Sequence, residues 1–315
     1  MEKRRLGNTG FWVSPLCYGT LTMGPLQKNL SLAEGEALIK YALDLGVKFF
    51  DSAEIYGTYP YLGRALRGRQ AEVVVVGKSY AVTAAEMKKS VEKARRELAM
   101  ETVPVFLLHE QESAATLRGH RGALEYLVEA KAKGLVGAVG LSTHTVAGVR
   151  AGALAPEIEV IHPLYNMRGW GIRDGSPAEM AEAIALAVTM GKGVYLMKVL
   201  AGGHLSGEAE KALRFAMELP GISAIAVGMQ SKEEIDFNHQ IICGENPVPA
   251  LRERVGSRPR RLFIESWCTG CGRCVKRCPF GALRLSGGQA RVDYGICMTC
   301  GYCSEACEIM AIKVL

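Results

Sequence analysis

Short, uninterrupted runs of apolar residues alternate with longer segments of helical periodicity through most of the chain. Eight apolar runs occur, and a segment of helical pattern follows each one. They span residues 16–20, 47–51, 73–78, 103–109, 135–142, 158–165, 193–198 and 222–228. Continuous apolar runs predict strands buried on both faces, as in a parallel sheet. Eight strand–helix units predict an α/β fold with a closed (β/α)8 (TIM) barrel, the alternative being a doubly wound open sheet.

The pattern changes after residue 243, and three parts of the chain can be separated. Residues 1–243 carry the strand–helix repeats and are predicted to form the barrel. Residues 244–262 contain three prolines and several arginines, which is typical of a linker. Residues 263–315 are too few to bury a large apolar core, so we expect bound metal to stabilise the fold of this part. We expect it to be a small α+β domain.

Eight of the ten cysteines lie between Cys268 and Cys307, in two runs of the same spacing. Each run reads C-x2-C-x2-C-x3-C, and proline follows the fourth cysteine of the first run. Three thiolates at this spacing suit three corners of one [4Fe–4S] cluster, while the fourth ligates the other cluster. Zinc sites use pairs of CxxC, and a chain without an export signal is not expected to carry disulfides. The predicted ligand sets are Cys268, Cys271, Cys274 and Cys307 for one cluster, and Cys278, Cys297, Cys300 and Cys303 for the other. This segment resembles a bacterial-type ferredoxin with two [4Fe–4S] clusters.

The net charge of +6 is confined to residues 251–315, which carry 11 basic and 5 acidic side chains. Two anionic clusters would offset much of this charge, so we exclude nucleic acid as a partner. The arginines then balance the clusters or face an acidic redox partner protein. No apolar stretch is long enough to cross a membrane, and no secretory signal is recognised, so we expect a cytoplasmic protein without a membrane partner.

Polar groups suited to proton transfer follow three successive strands. Asp51, Lys78 and His109 each end an apolar run, and Tyr56 lies five residues beyond Asp51. Catalytic groups of (β/α)8 enzymes lie at these strand ends. A phenol has a pKa near 10, and a neighbouring ammonium is expected to lower it. Asp51 would hold Lys78, His109 would orient a carbonyl oxygen, and Tyr56 would protonate that oxygen.

Residues 1–243 resemble the aldo-keto reductase family. The segments GVKFFDSAEIYG, VVVVGK and FLLH match the family's Asp, Tyr, Lys and His positions. The resemblance implies that Asp51, Tyr56, Lys78 and His109 are the catalytic set. It also implies a subgroup of the family that carries a C-terminal ferredoxin domain.

The same resemblance implies a nicotinamide cofactor, NADP(H) or NAD(H), across the top of the barrel. Two departures weaken a preference for NADP. Lys198 stands where many members have an aromatic ring on the nicotinamide, and Gly228, Met229 and Glu234 replace the cations that hold the 2′-phosphate. The cofactor contacts expected by carry-over are Gly19, Thr20, Ser142, His162, Asn166, Lys198, Leu200, Gly202, Gly203 and Gly228. The two loop glycines are expected to let the backbone approach the pyrophosphate closely.

These observations predict an oxidoreductase that reduces an aldehyde or ketone, or runs the reverse alcohol oxidation. Hydride carries two electrons and a cluster carries one, so direct coupling would need a converter such as a flavin. Two alternatives therefore stay open. The barrel substrate is reduced with electrons from the clusters, or the chain is an electron-transfer or redox-sensing subunit. Clusters with a purely structural role are a further alternative.

Overall fold

The computed structural model describes residues 1–256, 260–297, 299 and 302–315, and its central feature is a closed parallel barrel. An antiparallel hairpin of β1 (Arg4–Arg5) and β2 (Trp12–Val13) precedes the barrel. The barrel strands are β3 (Leu16–Gly19), β4 (Phe49–Asp51), β5 (Val74–Ser79), β6 (Val103–Leu108), β7 (Val136–Thr143), β8 (Val160–Pro163), β9 (Gly193–Leu196) and β10 (Ala224–Gly228). Each strand pairs in parallel with the next, and β10 closes on β3. The predicted (β/α)8 barrel is confirmed, and the open-sheet alternative is wrong.

Helices surround the barrel, and six of the nine in residues 1–243 begin at a residue whose side chain caps the first turn. They are α1 (Leu32–Asp44), α2 (Tyr59–Ala65), α3 (Ala84–Leu98), α4 (Ala114–Gly119), α5 (Arg121–Ala132), α6 (Val146–Leu154), α7 (Pro177–Thr189), α8 (Ala209–Met217) and α9 (Lys232–Ile242). The capping box of α3 is representative: the Thr83 hydroxyl accepts from the Glu86 amide, and the Glu86 carboxylate accepts from the Thr83 amide. These caps fix the helix starts, and hence the lengths of the loops that carry the site. In the described part of the chain, no helix has the length and apolarity to cross a membrane.

Two apolar layers hold the barrel together. The inner layer fills the barrel with alternate strand residues such as Phe49, Val76, Leu107 and Tyr195. The outer layer lies between strands and helices, where α3 buries Met87, Val91, Ala94 and Leu98 at helical spacing. The hairpin contributes Leu6 and Val13 to the inner layer.

The segment 244–262, predicted to be a linker, contains a packed helix. Helix α10 (Pro249–Gly256) contacts α9 and buries Leu251 and Val255. The prolines and arginines of this segment are typical of a linker. Its two buried apolar residues lie four positions apart on one helix face, which is too short a pattern to predict a helix. Residues 257–259 of this segment lie outside the described residues.

The C-terminal segment folds as a small α+β unit whose first and last strands pair. Strand β11 (Leu262–Ile264) is antiparallel to β14 (Ile312–Val314), and β12 (Leu283–Ser286) forms a hairpin with β13 (Gln289–Val292). Two short helices complete it, α11 (Arg273–Arg277) and α12 (Tyr302–Glu305). Its last strand, β14, contacts the barrel loop at Ala201–Gly203.

Candidate active site

A buried ion pair lies at the carboxyl end of the barrel. Asp51 ends β4 and pairs with Val76 on the adjacent strand β5, where Lys78 lies two residues further on. The Lys78 Nζ atom is 2.6 Å from the Asp51 Oδ1 atom and 2.6 Å from the Ser52 carbonyl oxygen. Only 1% of the Lys78 side chain and 7% of the Asp51 side chain are exposed. Breaking such a pair would leave an uncompensated buried charge.

Tyr195 is a member of this network that the sequence analysis missed. Its hydroxyl, on β9, donates to the Asp51 Oδ1 atom over 2.8 Å. The His162 ring stacks on the Tyr195 ring at 3.8 Å between centroids, and His162 Nε2 lies 3.6 Å from Asp51 Oδ1. In the sequence, Tyr195 is a tyrosine within the apolar run GVYLM. That position is equally typical of a core residue, so it did not indicate a contact with Asp51.

Tyr56 and His109 lie beside the ion pair. Tyr56 closes a single 3-10 turn (Glu54–Tyr56) after β4, and the Lys78 Nζ atom is 5.3 Å from its ring centroid. The Tyr56 and His109 rings meet edge to face at 5.8 Å, and Tyr80 stacks on His109 at 4.2 Å. All four predicted catalytic residues are thus brought together at one end of the barrel.

The electrostatics of Tyr56 differ from the sequence expectation. Burial, and then the Asp51 carboxylate, raise the pKa of Tyr56 well above its ordinary value, whereas we expected Lys78 to lower it. Lys78 directs its ammonium to Asp51 and to the Ser52 carbonyl rather than to the phenol, so burial and the Asp51 carboxylate dominate the pKa of Tyr56. Burial also lowers the pKa of His109 well below its usual range, which keeps this imidazole neutral.

A cavity of about 200 Å³ opens beside Tyr56 and Asp51 and extends to α9 and α10. Seven of the ten expected cofactor contacts line it: Gly19, His162, Lys198, Leu200, Gly202, Gly203 and Gly228. The other three are buried elsewhere, and their side chains bond within the protein. The Thr20 hydroxyl donates to the Asp51 carbonyl, the Ser142 hydroxyl accepts from the Glu110 amide, and the Asn166 side-chain amide donates to the Trp170 carbonyl.

The two loop glycines face the C-terminal strand. A Cβ atom on Gly203 would lie 1.9 Å from the Val314 carbonyl oxygen, and one on Gly202 would lie 2.9 Å from the Lys313 Cδ atom. Both glycines have positive φ, +68° and +93° for Gly202 and Gly203 respectively. Their missing side chains therefore admit β14, whereas the family resemblance implied a pyrophosphate at this close approach.

The enclosed part of the cavity has room for a ring of the size of nicotinamide. Gly19, Gly228 and Tyr56 line the cavity, and so do the polar side chains of Gln230, Glu234 and Asn238. Ligand pockets usually enclose about 300–1,000 Å³. A whole dinucleotide would therefore extend beyond the enclosed part.

The cysteines of the C-terminal unit surround two further cavities. Cys268, Cys271, Cys274 and Cys307 line the first cavity, which is the first predicted ligand set. Cys278, Cys297 and Cys303 line the second cavity, and the fourth member of that set, Cys300, lies outside the described residues. The amides of Ala290 and Ala311 donate to Sγ of Cys268 and Cys307 over 3.4 and 3.2 Å, and the Ala282 amide donates to Cys278 Sγ over 3.3 Å. Amide donors to sulfur favour thiolates. The four cysteines of the first site fit a [4Fe–4S] cluster, and the three described cysteines of the second site fit part of another.

The fold and these sites together define a (β/α)8 oxidoreductase with an iron–sulfur domain. The Aldo/keto reductase family model matches residues 15–215, so the chain belongs to that family. A 4Fe-4S dicluster domain model matches residues 262–308.

Individual relatives agree with this assignment. The chain is 22% identical to the L-galactose dehydrogenase of Arabidopsis thaliana over 289 residues, which covers 76% of this chain and 87% of that protein. A solved structure of a Pseudomonas aeruginosa protein assigned to the aldo-keto reductases has a TM-score of 0.66 and 26% identity, and the match covers 77% of this chain and 94% of that one. A component of the ion-translocating oxidoreductase complex of Methanosarcina acetivorans is 40% identical over 54 residues, or 17% of this chain and 20% of that protein.

Proposed function

We propose that the barrel interconverts a carbonyl compound and the corresponding alcohol, with Tyr56 as the proton donor for reduction. The observation that carries this proposal is the position of Tyr56: it lines the cavity directly beside the buried Asp51–Lys78 pair and the neutral His109. A bound nicotinamide would supply the two electrons as a hydride.

The chain's own residues account for the movement of the proton. Because the pKa of Tyr56 is raised, its phenol stays protonated until negative charge develops on the substrate oxygen. The Lys78 ammonium lies 5.3 Å from the Tyr56 ring, so it is a positive charge close to the phenolate that the transfer leaves. Asp51, which also accepts a hydrogen bond from the Tyr195 hydroxyl, holds Lys78 in place. The neutral His109 is a hydrogen-bond donor that orients the carbonyl oxygen.

The test is Tyr56→Phe in anaerobically purified, cluster-replete protein. Reduction of 4-nitrobenzaldehyde by NADPH and by NADH would be followed in the wild type, in Tyr56→Phe and in the control Tyr126→Phe on helix α5. We expect Tyr56→Phe to lower kcat by about 10²–10⁴-fold, the usual contribution of a general acid, with little change in nucleotide affinity by calorimetry. Unchanged turnover in Tyr56→Phe would overturn the proposal.

A second candidate function is electron delivery between the iron–sulfur unit and the barrel cavity. It is favoured by β14, because one strand borders both places. Ile312 lines the first cysteine cavity, while Lys313 and Val314 line the cavity beside Tyr56. The clusters would supply one electron at a time, so this route needs a one-electron acceptor such as a flavin in the barrel. A redox partner protein would then load the clusters.

Coupling can be tested without knowledge of the substrate. Protein reduced with dithionite and freed of excess reductant would be mixed anaerobically with NADP⁺ or NAD⁺, with and without added FMN, and the visible absorbance of the clusters recorded. Reoxidation that requires FMN would support the converter route. If the clusters stay reduced under all conditions, they do not communicate with the barrel through these cofactors.

A further inference from the structure

Two lysines, one from the barrel and one from the C-terminal unit, line the cavity beside Tyr56. Lys198 follows β9, and Lys313 lies in β14. Lys313 is 3% exposed, and Lys198 is half-buried. Neither lysine belongs to the catalytic network around Asp51, so their charges call for a separate explanation.

Neither lysine has a direct counterion among the residues that the structure describes. In the part of the chain that the structure describes, no carboxylate oxygen lies within 4.0 Å of either Nζ atom. Lys198 Nζ is 3.0 Å from His144 Nε2, and Lys313 Nζ donates to the Met310 carbonyl. An ammonium has three donors, so each lysine keeps donors for a ligand.

Two acidic side chains lie farther out, and each has another partner. Glu110 lies 3.7 Å from His144 Nδ1, on the side of that ring opposite Lys198. Glu265 accepts from the Gln27 side-chain amide over 2.7 Å, and burial raises the pKa of Glu265. Glu265 is the acidic group that acts most strongly on Lys313, but neither of its carboxylate oxygens lies within 4.0 Å of the Lys313 Nζ atom.

The backbone is shaped around both lysines. Lys198 has a φ of +57°, a left-handed backbone conformation that residues with a side chain rarely adopt. Gly202 leaves the space that the Lys313 stem crosses, since a Cβ atom there would lie 2.9 Å from Lys313 Cδ. Strained backbone and close packing of this kind occur where a binding site must be held in one geometry.

We propose that Lys198 and Lys313 form an anion subsite that binds a carboxylate or phosphate group of the cavity's ligand. The proposal rests on the function proposed above and narrows it: the ligand carries an anion next to the carbonyl chemistry at Tyr56. Burial lowers the pKa of both lysines, and the Lys313 charge lowers that of Lys198 further. An anion bound beside them would favour the charged form of each lysine. The anion could belong to the carbonyl substrate or to a nucleotide, and the experiment separates these sources.

Anion binding would be measured first without turnover. The Trp267 ring centroid lies 5.9 Å from Lys313 Nζ, so the fluorescence of this indole reports on the subsite. Wild type, Lys198→Met, Lys313→Met, Lys198→Arg and the exposed control Lys211→Met would be titrated with benzoate and with pyrophosphate. We expect each methionine variant to weaken binding by about tenfold or more, since a charge-assisted bond is lost. Lys211→Met should match the wild type, and Lys198→Arg should retain most of the affinity. Iron content and circular dichroism establish that each variant is folded.

Two further pairs of ligands identify the source of the anion. A larger loss of kcat/KM for 4-carboxybenzaldehyde than for benzaldehyde in the methionine variants assigns the subsite to the substrate. A larger loss of affinity for NADPH than for reduced nicotinamide riboside assigns it to the nucleotide phosphates. Tyr56→Phe should bind benzoate and pyrophosphate as the wild type does. Loss of turnover in Tyr56→Phe therefore tests the chemistry at Tyr56 separately from anion binding at Lys198 and Lys313. Equal titrations in the wild type and in both methionine variants would refute the subsite.

Discussion

The His162 imidazole should make the stability of this protein fall as the pH drops below neutral. His162 is 2% exposed, and its Nδ1 atom donates to the Tyr195 carbonyl over 2.7 Å, which leaves Nε2 unprotonated towards Asp51. Burial opposes the charged form and the Asp51 carboxylate favours it. Burial is the larger effect and lowers the pKa of His162 to about 4.

The sign and size follow from proton linkage. The unfolded chain takes up a proton on His162 near pH 6.5, while the folded protein does so only near pH 4. Stability is therefore fully present above pH 6.5 and is lost as the pH falls through this window. Each pKa unit is worth about 1.4 kcal/mol, so the full loss is about 3 kcal/mol, of which about 2 kcal/mol is reached at a pH of about 5.

Substitution with a neutral side chain isolates this contribution from those of other buried histidines. Urea unfolding of wild type, His162→Gln and the outer-helix control His239→Gln would be followed by far-ultraviolet circular dichroism near pH 7.5 and near pH 5. We expect His162→Gln to lose about 2 kcal/mol less than the wild type between these two pH values, whatever its stability at neutral pH. The reasoning is refuted if His162→Gln and the wild type lose the same amount, or if the imidazole titrates near pH 6.5 by NMR.

Three further predictions concern packing and ligation. Tyr195→Phe removes a hydrogen bond to the buried carboxylate, so chemical denaturation should show a loss of about 1.5–3 kcal/mol, and an unaltered midpoint would contradict this. Gly203→Ala places a methyl group against a carbonyl of β14, so limited proteolysis should cut the C-terminal strand faster, while Gly207→Ala, with open space around it, should not change the rate. Cys307→Ser should lower the iron content from about eight towards about four atoms per chain, whereas Cys243→Ser, outside both cysteine cavities, should leave it unchanged; equal iron in the two variants would argue against the ligand set.

Much of the architecture is determined by local sequence. Continuous apolar runs followed by helical segments specify a parallel barrel because strands buried on both faces tolerate few polar residues. In such a barrel every strand presents its carboxyl end at the same face. The sequence therefore predicts that Asp51, Lys78 and His109 lie close together. The cysteine spacing likewise predicts two ligand sets, and all four cysteines of the first set line one cavity in the structure.

Contacts between residues far apart in sequence were decided only by the tertiary structure. The Tyr195 hydroxyl reaches Asp51 across 144 residues of chain, and the β14 strand fits against Gly202 and Gly203 more than 100 residues before it. No residue spacing or periodicity in the sequence predicts either contact. Electrostatics were decided in the same way: the pKa of Tyr56 depends on burial and on where Lys78 directs its ammonium, and a sequence specifies neither until the barrel has closed.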